Sequence, residues 1–254
     1  MDPTVKRAFK ARLFSEFARI GKALASPHRL HLIELLAQGE RTVEQLAREL
    51  VLPLANVSQH LQVLRSARLV AVRRQGLYGH YALADPQVFR LWQTLRDLGQ
   101  AHLAEVDRVV TEYLGRRDDL EAVNADELLR RLHAEDVTVL DVRPRLEYEA
   151  GHIAGARCVP PEELEKRLRR LPKDTEVVAY CRGPYCVFAD EAVALLRTKG
   201  YRARRLAVGF PEWLGRGLPA ETGPDGGEWR RGVPKRRGER PSGRRRQQRQ
   251  GGRQ

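Results

Sequence analysis

Apolar residues in the first third of the chain recur at helical spacing. Val5, Phe9, Leu13, Phe14, Phe17 and Ile20 form one stripe that runs up to Gly21. Ser26 and Pro27 then supply an N-cap and a first helical residue for a second helix. Its inward face reads as Leu30, Ile33, Leu36 and Ala37, and Gly39 stops it. Thr42-Val43-Glu44-Gln45 is a capping box that predicts a third helix, with Leu46, Ala47 and Leu50 inward. After the turn Leu52-Pro53-Leu54, a fourth helix is predicted over about residues 55–67, burying Val57, Leu61 and Leu64. The period then falls to two. Residues 69–74 and 80–83 read as a β-hairpin around a Gly-bearing loop at 75–79. One long helix is predicted over about residues 86–113, with Val88, Leu91, Trp92, Leu95, Leu98, Val106, Val109, Val110 and Tyr113 apolar.

Gly115-Arg116-Arg117-Asp118-Asp119 is polar and aperiodic and marks a domain boundary. Strands and helices alternate beyond it. Helix 125–133 precedes strand 137–142, segment 156–159 precedes helix 162–171, strand 176–180 precedes helix 187–199, and strand 204–208 precedes a short helix around Trp213. That alternation predicts an α/β domain with a mainly parallel sheet. The expected organisation is multidomain. A mainly-α winged helix-turn-helix domain spans 1–114, a linker 115–123 and an α/β domain 124–222, followed by a disordered basic tail at 223–254.

Charge changes the picture mainly at that tail. The formal net charge is +13, and residues 223–254 alone carry +8 of it. A Gly/Pro/Arg/Gln-rich segment of this kind cannot build a core. It reads either as a solvated appendage or as a non-specific arm for nucleic-acid phosphates. A DNA-binding claim must therefore rest on the folded part. No apolar run approaches the roughly 18–20 residues of a membrane span, and no secretory signal is read at the start. Three cysteines, Cys158, Cys181 and Cys186, are too few for a disulfide framework, so a reducing cytoplasm is expected.

Two short helices joined by a tight turn and followed by a hairpin have the order of a winged helix-turn-helix. With Val57, Leu61 and Leu64 inward, Asn56, Ser58, Gln59, Gln62 and Arg65 face outward. Amide side chains pair bidentately with adenine, and hydroxyls reach phosphates or base edges. Asp and Glu are absent from this face. Arg73, Arg74 and Gln75 lie by Gly76 at the hairpin tip, where a wing reaches a backbone or minor groove. Residues 5–113 thus resemble an ArsR-type repressor. The carrying residues are Leu24-Ala25-Ser26-Pro27-His28-Arg29-Leu30, Thr42–Ala47, Asn56-Val57-Ser58-Gln59-His60-Leu61-Gln62-Val63-Leu64 and Tyr78–Leu83. The resemblance adds His60 to the DNA-contacting set. It also implies a homodimer through the first and last helices on a near-palindromic duplex operator, with half-sites about one helical turn apart.

The metal-binding patterns of that family are missing. Residues 42–47 contain no cysteine. His102-x-x-Glu105 fits one half of a last-helix motif, while Phe89 and Leu91 occupy the other half. No metal and no cofactor are expected, and the cysteine-pair sulfur sensing known in this family has no counterpart before residue 150.

Strand 176–180 delivers Cys181 into Cys181-Arg182-Gly183-Pro184-Tyr185-Cys186, ahead of a helix. A thiol in a strand-to-helix loop faces backbone amides and the positive helix end, which stabilise a thiolate, and Arg182 adds charge. Cys186 reads either as a small core residue or as a resolving thiol for Cys181. Cys158 reads as packed. A phosphatase-like loop needs Arg at the sixth position after Cys181, where Val187 stands.

The surroundings resemble a rhodanese domain, on Leu140-Asp141-Val142-Arg143, Glu147-Tyr148, Gly151-His152-Ile153-Ala154-Gly155-Ala156, Val178–Gly183 and Gly209-Phe210-Pro211-Glu212-Trp213. The resemblance implies that Cys181 accepts sulfane sulfur as a persulfide from a donor such as thiosulfate or another persulfide. Arg182, Gly183 and Cys186 would form the loop, and Asp141, Arg143 and Glu147 would stand near its mouth, although these last could equally be structural. The expected function is a transcriptional regulator that carries or senses sulfane sulfur on Cys181. The alternatives are a sulfurtransferase with accessory DNA binding, and an arsenate-reductase-like or inert module fused to a repressor.

Overall fold

The computed structural model describes residues 2–115 and 122–224. The basic tail lies outside them except for its first two residues, as does most of the expected linker.

Helix α1 (Pro3–Leu24) starts where Asp2 accepts the amide of Thr4 at 2.9 Å and Pro3 takes the first helical position. Helix α2 (Pro27–Ala37) follows Ser26 in extended conformation. The capping box forms: Thr42 Oγ1 accepts from Gln45 N at 3.4 Å, and Gln45 Oε1 accepts from Thr42 N at 2.8 Å. It starts helix α3 (Val43–Leu50). Helix α4 (Leu54–Ser66) packs on α3 with Val57, Leu61 and Leu64 fully buried, as its periodicity predicts. These three join Leu32, Ile33, Leu35, Leu36 and Leu46 in one core.

Strands β2 (Val70–Gln75) and β3 (Tyr78–Leu83) form the wing. The expected five-residue loop is only two residues, because Gln75 already pairs with Tyr78 and Gly76 adopts a positive φ of 59°. A short strand β1 (Arg41–Thr42) adds to β3, unforeseen because two residues carry no period. The expected single helix over 86–113 is two helices, α5 (Pro86–His102) and α6 (Ala104–Leu114). Leu103 between them is extended at φ −111° and ψ 98°, so His102 and Glu105 do not share one continuous helix.

The second domain is built on a five-stranded, all-parallel sheet in the order β4-β9-β8-β5-β7. Its strands are β4 (Ala122–Val123), β5 (Val137–Asp141), β7 (Arg157–Cys158), β8 (Glu176–Tyr180) and β9 (Ala203–Leu206). Residues 122–123, expected in the linker, are thus its edge strand. Strand β8 alternates between the faces. Val177 and Ala179 pack with helices α9 (Pro161–Arg167) and α10 (Val187–Thr198), while Val178 and Tyr180 pack with α7 (Ala125–His133) and α11 (Phe210–Gly215). The end of the expected helix 162–171 tightens into a 3-10 turn at Leu168–Arg170. Helix α8 (Arg145–Ala150) and the pair β6 (His152–Ile153) and β10 (Ala220–Glu221) close one side.

Candidate functional site: a DNA-reading face and a cysteine loop

On α4, Asn56, Gln59, Gln62 and Arg65 are exposed and Ser58 is half-buried. They share the face opposite Val57, Leu61 and Leu64, as expected from a 3.6-residue period. His60 is half-buried, like Ser58, with its ring centroid 5.3 Å from that of His28 on α2. On the wing Arg73, Arg74 and Gln75 are all exposed. Arg73 donates to Glu40 at 2.7 Å and to Gln75 at 3.3 Å, leaving Arg74 as the more open cation of the two.

In the α/β domain, β8 hands the chain to the 181–186 loop, and Cys186 is the N-cap of α10. Cys181 and Cys186 are joined by a disulfide, with Cα atoms 6.2 Å apart. Cys181 is 2% exposed and packs in the core cluster with Val142 and Ala189, while Cys186 is half-buried. This corrects the expectation of an open thiol at 181: sulfur chemistry there requires reduction and uncovering. The amide of Cys186 donates to the carbonyl of Gly183 at 3.2 Å, so it is spent inside the loop. Cys158, outside that disulfide, is buried on β7. The loop sits tightly on the next turn. A Cβ at Gly209 would run into the backbone of Arg182, which only glycine avoids.

Asp141 and Arg143 do not line an open mouth. Both side chains are fully buried. Asp141 Oδ1 accepts the Arg143 amide at 2.9 Å, and its carboxylate takes the Arg143 guanidinium at 2.6–3.2 Å. Tyr180 donates to Asp141 Oδ2 at 2.5 Å, and Arg143 also donates to the Gly151 carbonyl at 2.6 Å. Burial, reinforced by the Asp141 charge, pushes the Tyr180 hydroxyl well above its ordinary range. The arrangement is a structural ion pair that anchors the loops after β5. Its residual donor, Nη1, reaches Gln38 Oε1 on the other domain at 3.1 Å.

That last contact belongs to a domain interface that sequence reasoning missed entirely. Glu147, buried on α8, accepts from Arg182 at 2.6–3.1 Å and from Arg41 of β1 at 2.5 Å. Arg182 also pairs with Glu49 of α3. Burial pulls the Arg182 guanidinium down, and Glu147 and Glu49 more than offset it, so it stands above its ordinary value. Gln38 donates to the Arg182 carbonyl at 3.3 Å, Tyr185 donates to Gln100 of α5 at 3.0 Å, and Arg96 pairs with Glu212 at 2.7 Å. Gly39, at φ 144°, lets the domains approach so closely that a Cβ there would stand 2.7 Å from that of Ala150. Only polar residues scattered from Gln38 to Glu212 signalled this seam, and no periodicity links them.

Glu34 of α2 faces the seam among Arg182, Arg96, Glu212 and Glu147, and burial pushes its carboxyl above the ordinary range. A carboxyl whose pKa rises on folding stabilises the folded state fully below its unfolded value. That contribution is lost as pH rises through its own raised pKa. Glu34→Gln is therefore expected to raise the melting temperature at neutral pH, with the gap closing as the pH falls toward 4.5. Thermal melts across that range check it, and a variant that melts lower at neutral pH contradicts it.

A helix-turn-helix with a wing, joined to a parallel α/β domain that ends a central strand in a cysteine loop, defines a DNA-binding regulator with a rhodanese-like partner domain. Comparisons agree. Residues 26–72 match the pattern of bacterial regulatory proteins of the arsR family, and residues 124–216 match the rhodanese-like domain. The HTH-type transcriptional regulator Rv0324 of Mycobacterium tuberculosis is 45% identical over 214 residues, covering 84% of this chain and 94% of that protein. A sulfurtransferase of Allochromatium vinosum is 34% identical over 99 residues, 38% of this chain and 91% of that protein. A solution structure of the homodimeric winged helix-turn-helix domain of Mb0332 from Mycobacterium bovis is 42% identical. It covers 38% of this chain and 89% of that one, at a TM-score of 0.36. The chain belongs to the ArsR-type transcriptional regulators that carry a rhodanese-like domain.

Proposed function

We propose that this regulator binds duplex operator DNA as a homodimer through α4 and the wing, and that its operator affinity responds to sulfane sulfur taken up on Cys181. The observation that carries the reading is the Cys181–Cys186 pair itself, set in a loop that touches the DNA-binding domain. In the reduced protein the Cys181 thiolate attacks the outer sulfur of thiosulfate. An S–S bond forms, sulfite leaves, and Cys181 holds a persulfide. The Cys186 thiolate then attacks Cys181 Sγ, forming the disulfide and expelling the added sulfur as hydrosulfide. A cellular dithiol supplies the two electrons that reset the pair.

Sulfur loading followed by mass spectrometry tests this. One sulfur per Cys181, then the disulfide, supports it. Sustained turnover with a thiol acceptor and no change in DNA binding favours instead a sulfurtransferase with accessory DNA binding, a reading supported by the A. vinosum relative.

The dimer is supported by two unpartnered apolar faces. On α1, Phe9, Phe14 and Phe17 are all more than half exposed, and α6 buries no residue at all. A contiguous apolar face of this kind marks an association surface. Phe14→Glu/Phe17→Glu is expected to weaken the dimer by about 2 kcal/mol or more, roughly thirtyfold in dissociation constant. Sedimentation equilibrium measures it, and an unchanged mass distribution would place the interface elsewhere.

A further inference from the structure

The 181–186 loop is covered by three separate elements of the DNA-binding domain. Gln38, at the end of α2, bridges both arginines of the site: its amide donates to the Arg182 carbonyl and its oxygen accepts from Arg143. Gln100 on α5 accepts from Tyr185. Arg182 Nη2 is shared between Glu49 and Glu147, and Glu147 also accepts from Arg182 Nε. Cys181, the first residue of that loop, is 2% exposed in the core of its own domain, and a donor the size of thiosulfate reaches it only when the loop these contacts hold moves.

Glu49 is also the next-to-last residue of α3, followed by Val51 at a left-handed φ of 51° and the turn into α4. A force on Glu49 therefore acts on the turn that seats the DNA-reading helix. Glu147, the other partner of Arg182, lies in its own domain, so the Glu49 contact is the one by which Arg182 crosses the seam.

We infer that Glu49, although it belongs to the DNA-binding domain, is a positioning residue of the sulfur site: it latches Arg182 over the Cys181–Cys186 loop, so that access to Cys181 and the seating of α4 are one coupled equilibrium. The inference rests on the proposed sulfur chemistry for its purpose but not for its geometry. Coupling of this kind is reciprocal. Operator DNA must change the accessibility of Cys181 by the same factor by which an opened loop changes operator affinity.

The test uses the full-length protein reduced with a phosphine. Iodoacetamide alkylates an accessible thiolate with loss of iodide, and peptide mass spectrometry follows Cys181 with time, with and without operator duplex. In wild type the rate is expected to be slow and to shift severalfold when operator is added. In Glu49→Gln it is expected to rise about fivefold to tenfold and to lose its dependence on operator. Gln100→Ala, at an exposed position, is expected to move the rate the same way by a smaller factor, and it carries the test if Glu49→Gln fails to fold. Wild-type rates in both folded variants, with operator dependence intact, overturn the inference. Parallel incubation with thiosulfate separates the two claims. Sulfur loading with unlatched and latched rates equal defeats the latch alone. Altered alkylation without any sulfur uptake defeats the sulfur chemistry and leaves the latch standing.

Discussion

Sulfane sulfur is expected to shift the operator affinity of the reduced wild-type protein, and Cys181→Ser is expected to remove that shift. The expected wild-type change is about fivefold to 150-fold, the range of 1–3 kcal/mol spanned by typical coupling energies between sites. The reasoning is structural. Cys158 is sealed within the sheet domain, and Cys186 caps α10 half-buried, so Cys181 is the sulfur joined directly to the loop that contacts Gln38 and, through Arg182, Glu49. A serine at 181 keeps the size of the side chain but forms neither persulfide nor disulfide. Cys186→Ser separates the steps, because it allows the persulfide and blocks the disulfide. A gel shift on the DNA upstream of the protein's own coding sequence, with and without polysulfide and reductant, reads all three proteins. A full shift persisting in Cys181→Ser ends the sensing claim.

Gln59→Ala is expected to cost about 1–3 kcal/mol of operator affinity, roughly fivefold to 150-fold, and to leave binding to unrelated duplex nearly unchanged. Gln59 is exposed on the outward face of α4, flanked by Asn56 and Gln62, and an amide there offers a donor and an acceptor to one adenine edge. Arg74→Ala has the opposite signature. A wing cation that neutralises phosphate is expected, when lost, to weaken binding to every sequence alike and to lower the salt slope by about one. Arg73 is a poorer probe, since Glu40 already holds it. Titration of operator and scrambled duplexes at several salt concentrations distinguishes the two residues. If Gln59→Ala weakens both duplexes equally, α4 does not read bases through that amide.

The two halves of the protein were legible for different reasons. Short-range signals named most elements: the capping box at Thr42, Pro27 and Pro86 at first helical positions, and the continuous apolar run Val177–Tyr180. Faces followed from periodicity, which is why Val57, Leu61 and Leu64 are buried and Asn56, Gln59 and Gln62 are not. Periodicity misled where backbone geometry broke it. The apolar spacing runs unbroken past residue 100, yet the chain turns extended at Leu103. His60 is polar yet half-buried, with the His28 ring beside it.

The amino-acid order by itself determined most of the elements, the identity of the two domains and the pair of cysteines that brackets Arg182, because these rest on patterns among residues close in the chain. What only the tertiary structure decided is the state and setting of the site. Cys181 is bonded and covered, Asp141 and Arg143 are spent on each other, and Gln38, Arg41, Glu49 and Arg96 of one domain meet Glu147, Arg182 and Glu212 of the other. Those partners are charged or amide side chains of the kind found on any solvated surface. Their pairing depends on how two separately folded cores dock, and a side chain's local pattern does not encode the partner it meets more than a hundred residues away.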